Sequence, residues 1–359
     1  MTEGSKSNRL WADDCELLAQ GRVGGSCEVE LDGRAQPACK ATLRERAGTL
    51  ERLVNAVHLS RPENYLSIYQ SGCNFSCRKC HSWYFSQKAM GRWYTIDKLV
   101  RICKDYEKQV TLTEPRSRAT AWHAGETCRC CGACVIGGGR SPTCPNVLKP
   151  EQITRSPQGY GPARNIVAFT GGDLTCRPHY YAEFARQIKA ETKLWVLIET
   201  NGWGLTPHNL DLLQEAGVDA FWLDIKALDD KVHEWLTGCT NRWILGLPEQ
   251  ILNRGFVLEV LSLYIPGLVQ TDQLQRVAEL LASANEDIPF TIPAFFPEYR
   301  MGEFRSPNTD EMLEAYMAAV AAGLKKVRLG NIGVCAKTQA ETDYVLRVTG
   351  VIDPGQSKR

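Results

Sequence analysis

Three cysteines, Cys73, Cys77 and Cys80, fall within the short stretch Ser71-Gly-Cys-Asn-Phe-Ser-Cys-Arg-Lys-Cys-His-Ser-Trp83. Thiolates at this spacing in one loop can wrap a single inorganic cluster. A four-iron four-sulfur cubane ordinarily takes four cysteines. Three therefore leave one iron open, much as a catalytic zinc keeps one position free for substrate. A zinc loop built from Cys73, Cys77, Cys80 and His81 is the competing reading of the same residues. Further along, Gly171-Gly172-Asp173 combines two residues that let backbone approach a ligand closely with a carboxylate that can accept from an ammonium. A tight strand-to-helix turn explains it equally. Glu199-Thr200-Asn201-Gly202 and Asp224-Ile225-Lys226 each put charge at the end of an apolar run. Taken singly, such residues are ordinary solvated rim residues.

A second thiol group occupies Cys128-Arg-Cys130-Cys131-Gly-Ala-Cys134 and Cys144-Pro145. With Cys130 skipped, Cys128, Cys131, Cys134 and Cys144 have the spacing of a bacterial ferredoxin cluster loop. Four thiolates saturate a cluster, so electron relay is its natural use; a four-cysteine zinc knuckle fits the same spacing. Cys103, Cys130 and Cys176 read as plain buried thiols. Cys15, Cys27 and Cys39 are too far apart for spacing to assign them.

The triplet, with three and then two intervening residues, resembles the signature of the radical S-adenosylmethionine (SAM) superfamily. The resemblance implies that Cys73, Cys77 and Cys80 hold a 4Fe-4S cluster whose open iron SAM chelates through its amino and carboxylate groups. Gly171-Gly172-Asp173 is similar to the family's Gly-Gly-Glu-Pro, which binds the SAM amino group, with Asp173 and Leu174 replacing Glu and Pro. The segments at Glu199 and Asp224, in this order, resemble the glycyl-radical-enzyme activase branch, where they serve SAM and, in some members, a monovalent cation. This implies Glu199, Thr200 and Asp224 as cation or ribose ligands, Asn201 in the same cofactor site, and Lys226 as a contact of the SAM carboxylate.

Pro293-Ala-Phe295-Phe296-Pro297 and Arg328-Leu-Gly330-Asn331-Ile332 look like C-terminal segments of the AmmeMemoRadiSam-system radical SAM proteins, relatives of pyruvate formate-lyase activating enzyme, and add Asn331 to the implied cofactor set. Two residues depart from these patterns. Lys79 replaces the usual aromatic or apolar residue before the last cysteine, and Phe296 stands where a His usually precedes the proline. Some activases carry ferredoxin-like inserts between the triplet and the Gly-Gly motif. That likeness implies an auxiliary 4Fe-4S cluster on Cys128, Cys131, Cys134 and Cys144.

These motifs need a scaffold that gathers strand ends. Apolar runs at Tyr65–Tyr69, Ile166–Thr170, Leu194–Glu199, Ala220–Ile225, Phe256–Tyr264, Phe290–Phe295 and Val327–Leu329 read as strands buried on both faces. Amphipathic helices separate them, one capped by Thr271 with Leu274, Val277, Ala278 and Leu281 inward. Another is capped by Asn308 or Thr309, with Leu313, Tyr316, Met317 and Val320 inward and Gly323 at its end. Alternating strands and helices predict an α/β fold with a parallel sheet, here a partial (β/α)6 TIM-like barrel over residues 61–350. Residues 103–162 break the rhythm and read as an inserted Cys-rich module. Residues 1–60 form a small N-terminal segment with one helix from Ala41 to Val57, stopped by Arg61-Pro62. Residues 351–359 read as a disordered tail.

Composition removes other functions. With 42 basic and 41 acidic residues the net charge is +1, so no field draws the chain to nucleic acid or an acidic membrane. The longest apolar stretch, Phe256–Val269, is interrupted by Glu259, Ser262 and Pro266 and is too short to span a bilayer. The opening residues lack the layout of a secretory leader, which predicts a cytoplasmic, reducing location. Fifteen cysteines in such a compartment favour metal or redox chemistry over disulfides. The expected activity is reductive cleavage of SAM to methionine and a 5′-deoxyadenosyl radical that abstracts hydrogen from a protein or peptide substrate. Reduced ferredoxin or flavodoxin is the expected electron donor. A radical SAM enzyme acting on a small molecule, and a non-catalytic iron-sulfur or zinc protein, are the alternatives.

Overall fold

The computed structural model describes residues 14–350. The expected tail, and most of the opening stretch read for a leader, lie outside these residues. Among the described residues there are fourteen strands: β1 (Glu28–Leu31), β2 (Arg34–Pro37), β3 (Leu43–Arg46), β4 (Thr49–Leu59), β5 (Leu66–Gln70), β6 (Arg92–Thr95), β7 (Thr154–Ser156), β8 (Gly159–Gly161), β9 (Ile166–Gly171), β10 (Trp195–Thr200), β11 (Ala220–Asp224), β12 (Val257–Leu261), β13 (Phe290–Pro293) and β14 (Val327–Gly330).

The main sheet runs β14-β13-β12-β11-β10-β9-β5-β4-β3, with β6 also on β4. Every pairing along β5-β9-β10-β11-β12-β13-β14 is parallel, in registers such as Ile68 opposite Phe169 and Leu197 opposite Ala220; β7 and β8 form a separate antiparallel pair. The strands lie in chain order with helices crossing between them, which makes a barrel wall, and among the described residues β14 does not pair with β5, so the barrel is partial. The wall has seven parallel strands, one for each apolar run of the sequence.

The outer face packs on helices. Phe169 meets Tyr181 and Phe184 of the helix Pro178–Glu191 at ring separations of 5.1 and 4.7 Å. The inner face is a separate cluster of Tyr65, Ile166, Ala168, Leu197 and Ala220, completed by Ala119 and Ala121. Those two alanines belong to the expected insert, so its first part fills the barrel. Fully buried Arg164 pairs with Glu114 and also donates to the carbonyls of Thr120 (2.8 Å) and Arg118 (2.6 Å). The Trp122 N–H donates to Glu259 at 2.8 Å, and Arg328 donates to the Trp122 carbonyl at 3.2 Å while pairing with Glu259.

Three local expectations are corrected. Ala41–Val57 is not a helix: Ala38–Thr42 makes one short turn, and β3 and β4 follow as a hairpin through Ala47 and Gly48, both at positive φ. Leu50, Leu53, Val54 and Val57 fit a helical period. Pairing of β4 with β3, β5 and β6 overrides it. β4 and β5 therefore sit astride residue 60 as one antiparallel pair. The helix Thr271–Ala284 is preceded by Gln270 as its cap residue instead of beginning inside Thr271. Met317 and Val320 are exposed, because the helix Thr309–Ala321 buries Met312, Leu313, Ala315 and Ala319 instead. Its Asn308 cap is reciprocal with Glu311.

Candidate active site

The triplet loop leaves the C-terminal end of β5 with Gly72 at φ +76°. Cys73 and Cys77 are buried and Cys80 is half-buried. Arg52 of β4, itself fully buried, donates to the Thr42 carbonyl (3.0 Å), to Gln70 (3.3 Å) and to the Gly72 carbonyl (3.3 Å), which pins the loop's first turn. The glycine pair is needed for backbone to pass backbone. A Cβ on Gly172 would collide with the Gly72 carbonyl oxygen, and one on Gly171, at φ +85°, with the Phe85 ring.

Asp173 is buried and saturated. One oxygen accepts from the Thr175 N–H and hydroxyl, both at 2.8 Å; the other accepts from the Thr200 hydroxyl (2.7 Å) and the Asn201 N–H (2.9 Å). Four donors use the whole accepting capacity of a carboxylate. Asp173 therefore ties the end of β10 to the end of β9. Asn201, held this way, donates to Asn74 at 2.6 Å and lies 3.7 Å from the Cys73 sulfur.

Lys226 forms an ion pair with Asp224. Burial works against its charge, but Asp224 and then Cys77 outweigh burial and raise its pKa; Cys80 adds to this. Burial raises the Cys77 thiol, with Lys226 as the main opposing influence. The second Asp224 carboxylate oxygen is buried and has no hydrogen-bond partner among the described residues. Three thiols, an adjacent ammonium and a buried acceptor awaiting a donor fit an iron-sulfur cluster carrying SAM, because that ligand brings a carboxylate, an amino group and ribose hydroxyls. Asn331 follows β14 in a left-handed conformation, φ 55°, and its amide donates to the Ala294 carbonyl at 3.4 Å.

Neighbours on one strand face opposite ways, and this separates two expected partners. Thr200 turns to Asp173, while Glu199 accepts from Tyr65 at 3.0 Å and from Thr170. Burial, against the hydrogen bond from Thr170, pushes the Glu199 carboxyl up to about 8. The native state thus holds this proton after the unfolded chain has released it. Its stabilisation is complete below the ordinary carboxyl range, about pH 4.3, and is lost as pH climbs to about 8. A Glu199→Gln variant is therefore expected to gain stability over wild type progressively from about pH 4.3 to 8 and to run parallel outside that window, as read by urea midpoints across pH.

The two departures from the family pattern meet in space. The Lys79 ammonium lies 3.6 Å from the centroid of the Phe296 ring and pairs with Glu298 at 2.8 Å. His81 pairs with the same carboxylate at 3.0 Å and packs edge-on to Phe296 at 5.8 Å.

Cys128, Cys131, Cys134 and Cys144 line one small cavity. Cys130, skipped in the spacing, sits at φ 54° with its sulfur 3.3 Å from Asn64. Asn64 precedes β5, so this group stands at the strand end opposite the triplet. Among the described residues, no three Cys, His, Asp or Glu already stand in metal-ligand geometry.

Spacing did not reveal Arg52, hidden in the misread helix, or Asn74 and Tyr65, whose roles come from contacts across the sheet. A groove also opens beside the triplet loop, between Ser26–Glu30 and Trp83, Gln87, Tyr299 and Arg300.

Among the described residues, no helix is long and apolar enough to cross a membrane. Comparison with known proteins finds a candidate glycyl-radical enzyme activating enzyme of Methanocaldococcus jannaschii, 27% identical over 153 residues, which are 42% of this chain and 57% of that relative. A domain of pyruvate-formate lyase-activating enzyme from Bacteroides vulgatus is 16% identical, covering 46% of this chain and 98% of that one with a TM-score of 0.40. Methylornithine synthase is 13% identical, covering 82% and 73% with a TM-score of 0.46. Residues 126–281 match the Radical SAM superfamily, a span that begins after the triplet and takes in the ends of β9, β10 and β11. Residues 126–281 are thus similar to a radical SAM domain.

Proposed function

We propose that the protein is a radical SAM enzyme of the activase type, acting on a protein or peptide and fed by reduced ferredoxin or flavodoxin. The observation that carries this reading is the meeting of Cys73, Cys77, Cys80, Lys226 and the unsatisfied Asp224 oxygen at the C-terminal ends of parallel strands, where barrel enzymes place their chemistry. Cys73, Cys77 and Cys80 would hold the 4Fe-4S cluster. When bound, cluster and SAM supply one-electron cleavage to methionine and a 5′-deoxyadenosyl radical, which takes a hydrogen atom from the substrate.

The chain's own residues bind and orient. Lys226 offers its ammonium to the SAM carboxylate, and Asp224 accepts from an amino or ribose donor or faces a monovalent cation. Gly171 and Gly172 let the strand ends close on the triplet loop, Asp173 and Asn201 hold its Cys73 side, and Asn331 borders the same rim. Cys128, Cys131, Cys134 and Cys144 would carry an auxiliary 4Fe-4S cluster. The groove beside Trp83 and Tyr299, next to the triplet loop, is where such a peptide would lie. The likeness to the M. jannaschii relative supports the activase reading.

The test is anaerobic reconstitution with iron and sulfide, reduction, and chromatography of SAM products. About one 5′-deoxyadenosine per chain is expected in the first turnover. None from a reduced, fully loaded protein defeats the proposal. Deuterium appearing in 5′-deoxyadenosine from a labelled peptide, and not from small metabolites, supports the substrate class.

A further inference from the structure

Four cysteines outside both expected cluster sets come together although the sequence scatters them. Cys15, Cys27, Cys39 and Cys176 line one small cavity with Asn74 and Arg177. Cys15 precedes the short helical turn Glu16–Ala19, Cys27 lies just before β1, Cys39 lies on the turn Ala38–Thr42, and Cys176 follows the Gly171-Gly172-Asp173 loop. The Cys27 carbonyl accepts from the Ala38 N–H at 2.7 Å, which brings Cys39 back beside Cys27. Gly25 lies against the Asn74 carbonyl so closely that any Cβ there would collide with it, so the N-terminal segment packs backbone to backbone on the triplet loop.

Arg177 supplies a positive charge at the edge of the group: it donates to the Cys39 sulfur at 3.6 Å and pairs with Asp14 (3.1 Å) and Glu16 (3.2 Å). All four cysteines are free of disulfides.

We infer that Cys15, Cys27, Cys39 and Cys176 form a four-thiolate site for a thiophilic metal, either a single zinc ion or an iron-sulfur cluster, on the far side of Asn74 from Cys73. The chemistry of the donor set selects these occupants, since soft thiolates bind zinc and iron-sulfur clusters where carboxylate sites bind harder cations. Four thiolates on either centre leave a net negative charge, which Arg177 offsets. Three of the ligands come from the N-terminal segment and one from the barrel, so a bound metal would fasten the two together, and its binding free energy would appear as folding stability. The insert's cysteines stand at the opposite strand ends, so this site is the one beside the triplet. The inference goes beyond the proposed activity and holds whether or not SAM is cleaved.

The test uses the full chain purified anaerobically, then reconstituted, with zinc, iron and acid-labile sulfide counted per chain. Replacing Cys15, Cys27 and Cys39 together by Ser is expected to remove either about one zinc or about four irons with four sulfides, and the identity of the lost metal names the occupant. An unchanged metal count overturns the site. A fold-independent arm maps alkylation of wild-type protein by N-ethylmaleimide before and after chelation. Cys15 and Cys39, both half-buried, are expected to react at least ten times faster once metal is stripped, whereas equal rates, or a disulfide between any two of the four, defeat the inference.

Discussion

Cys77→Ala is expected to abolish 5′-deoxyadenosine formation to below detection and to lower iron content by about four per chain, while the metal of the Cys128–Cys144 group stays in place. Cys77 is the middle thiol of the triplet and the one whose charge most directly meets Lys226. Two remaining thiols cannot hold a cubane that already has one open corner. The fold should survive, because Lys226 keeps Asp224 as its ion-pair partner and Ala removes only the thiol. Independence of the two metal sets follows from their places: one opens from the C-terminal end of β5, the other touches Asn64 before that strand begins. Iron and sulfide analysis, together with the spectrum of the reduced protein, check the result. Equal loss of metal from both sets would indicate one shared structural centre and remove the basis for catalysis.

The parallel wall was legible because strands covered on both faces must be apolar throughout, and runs such as Ile166–Thr170 have no other stable home. The triplet was legible because its three ligands share one loop. Both signals are local. Asp173 shows where local reading stops: the sequence reveals a carboxylate after two glycines, and only the structure shows its four donors arriving from β10 and from its own turn. Lys79 and Phe296 looked like separate departures, 217 positions apart, and become one cation–π contact once the strand ends meet. The stretch Ala41–Val57 failed for the opposite reason. Its periodicity was real, but three strand partners outweigh the preference of an isolated segment. Cys15, Cys27, Cys39 and Cys176 had no signature at all, because no two of them share a loop.

Glu114→Ala is expected to destabilise the protein by about 3–5 kcal/mol, a large share of the roughly 5–15 kcal/mol that holds a domain folded. Glu114 accepts from both Arg164 and Arg118, and Arg164 has no exposed surface. Removing the carboxylate strands a guanidinium in the barrel with only the carbonyls of Glu63, Thr120 and Arg118 as partners. Carbonyl dipoles satisfy its hydrogens without neutralising its charge. Replacing both partners, Glu114→Ala with Arg164→Met, should recover much of the loss, since an apolar pair need not be desolvated as ions are. The comparison discriminates between two views of residues 103–162. If they were an appendage, an Ala at Glu114 would shift stability by no more than about 0.5 kcal/mol, as surface substitutions do. Because Ala119 and Ala121 enter the inner face and Glu259 and Arg328 bind the Trp122 backbone, the same change should instead lower the urea midpoint of the whole sheet in a single transition. A separate early transition, with the barrel unfolding at its wild-type midpoint, would mean that this segment does not fill the barrel in solution.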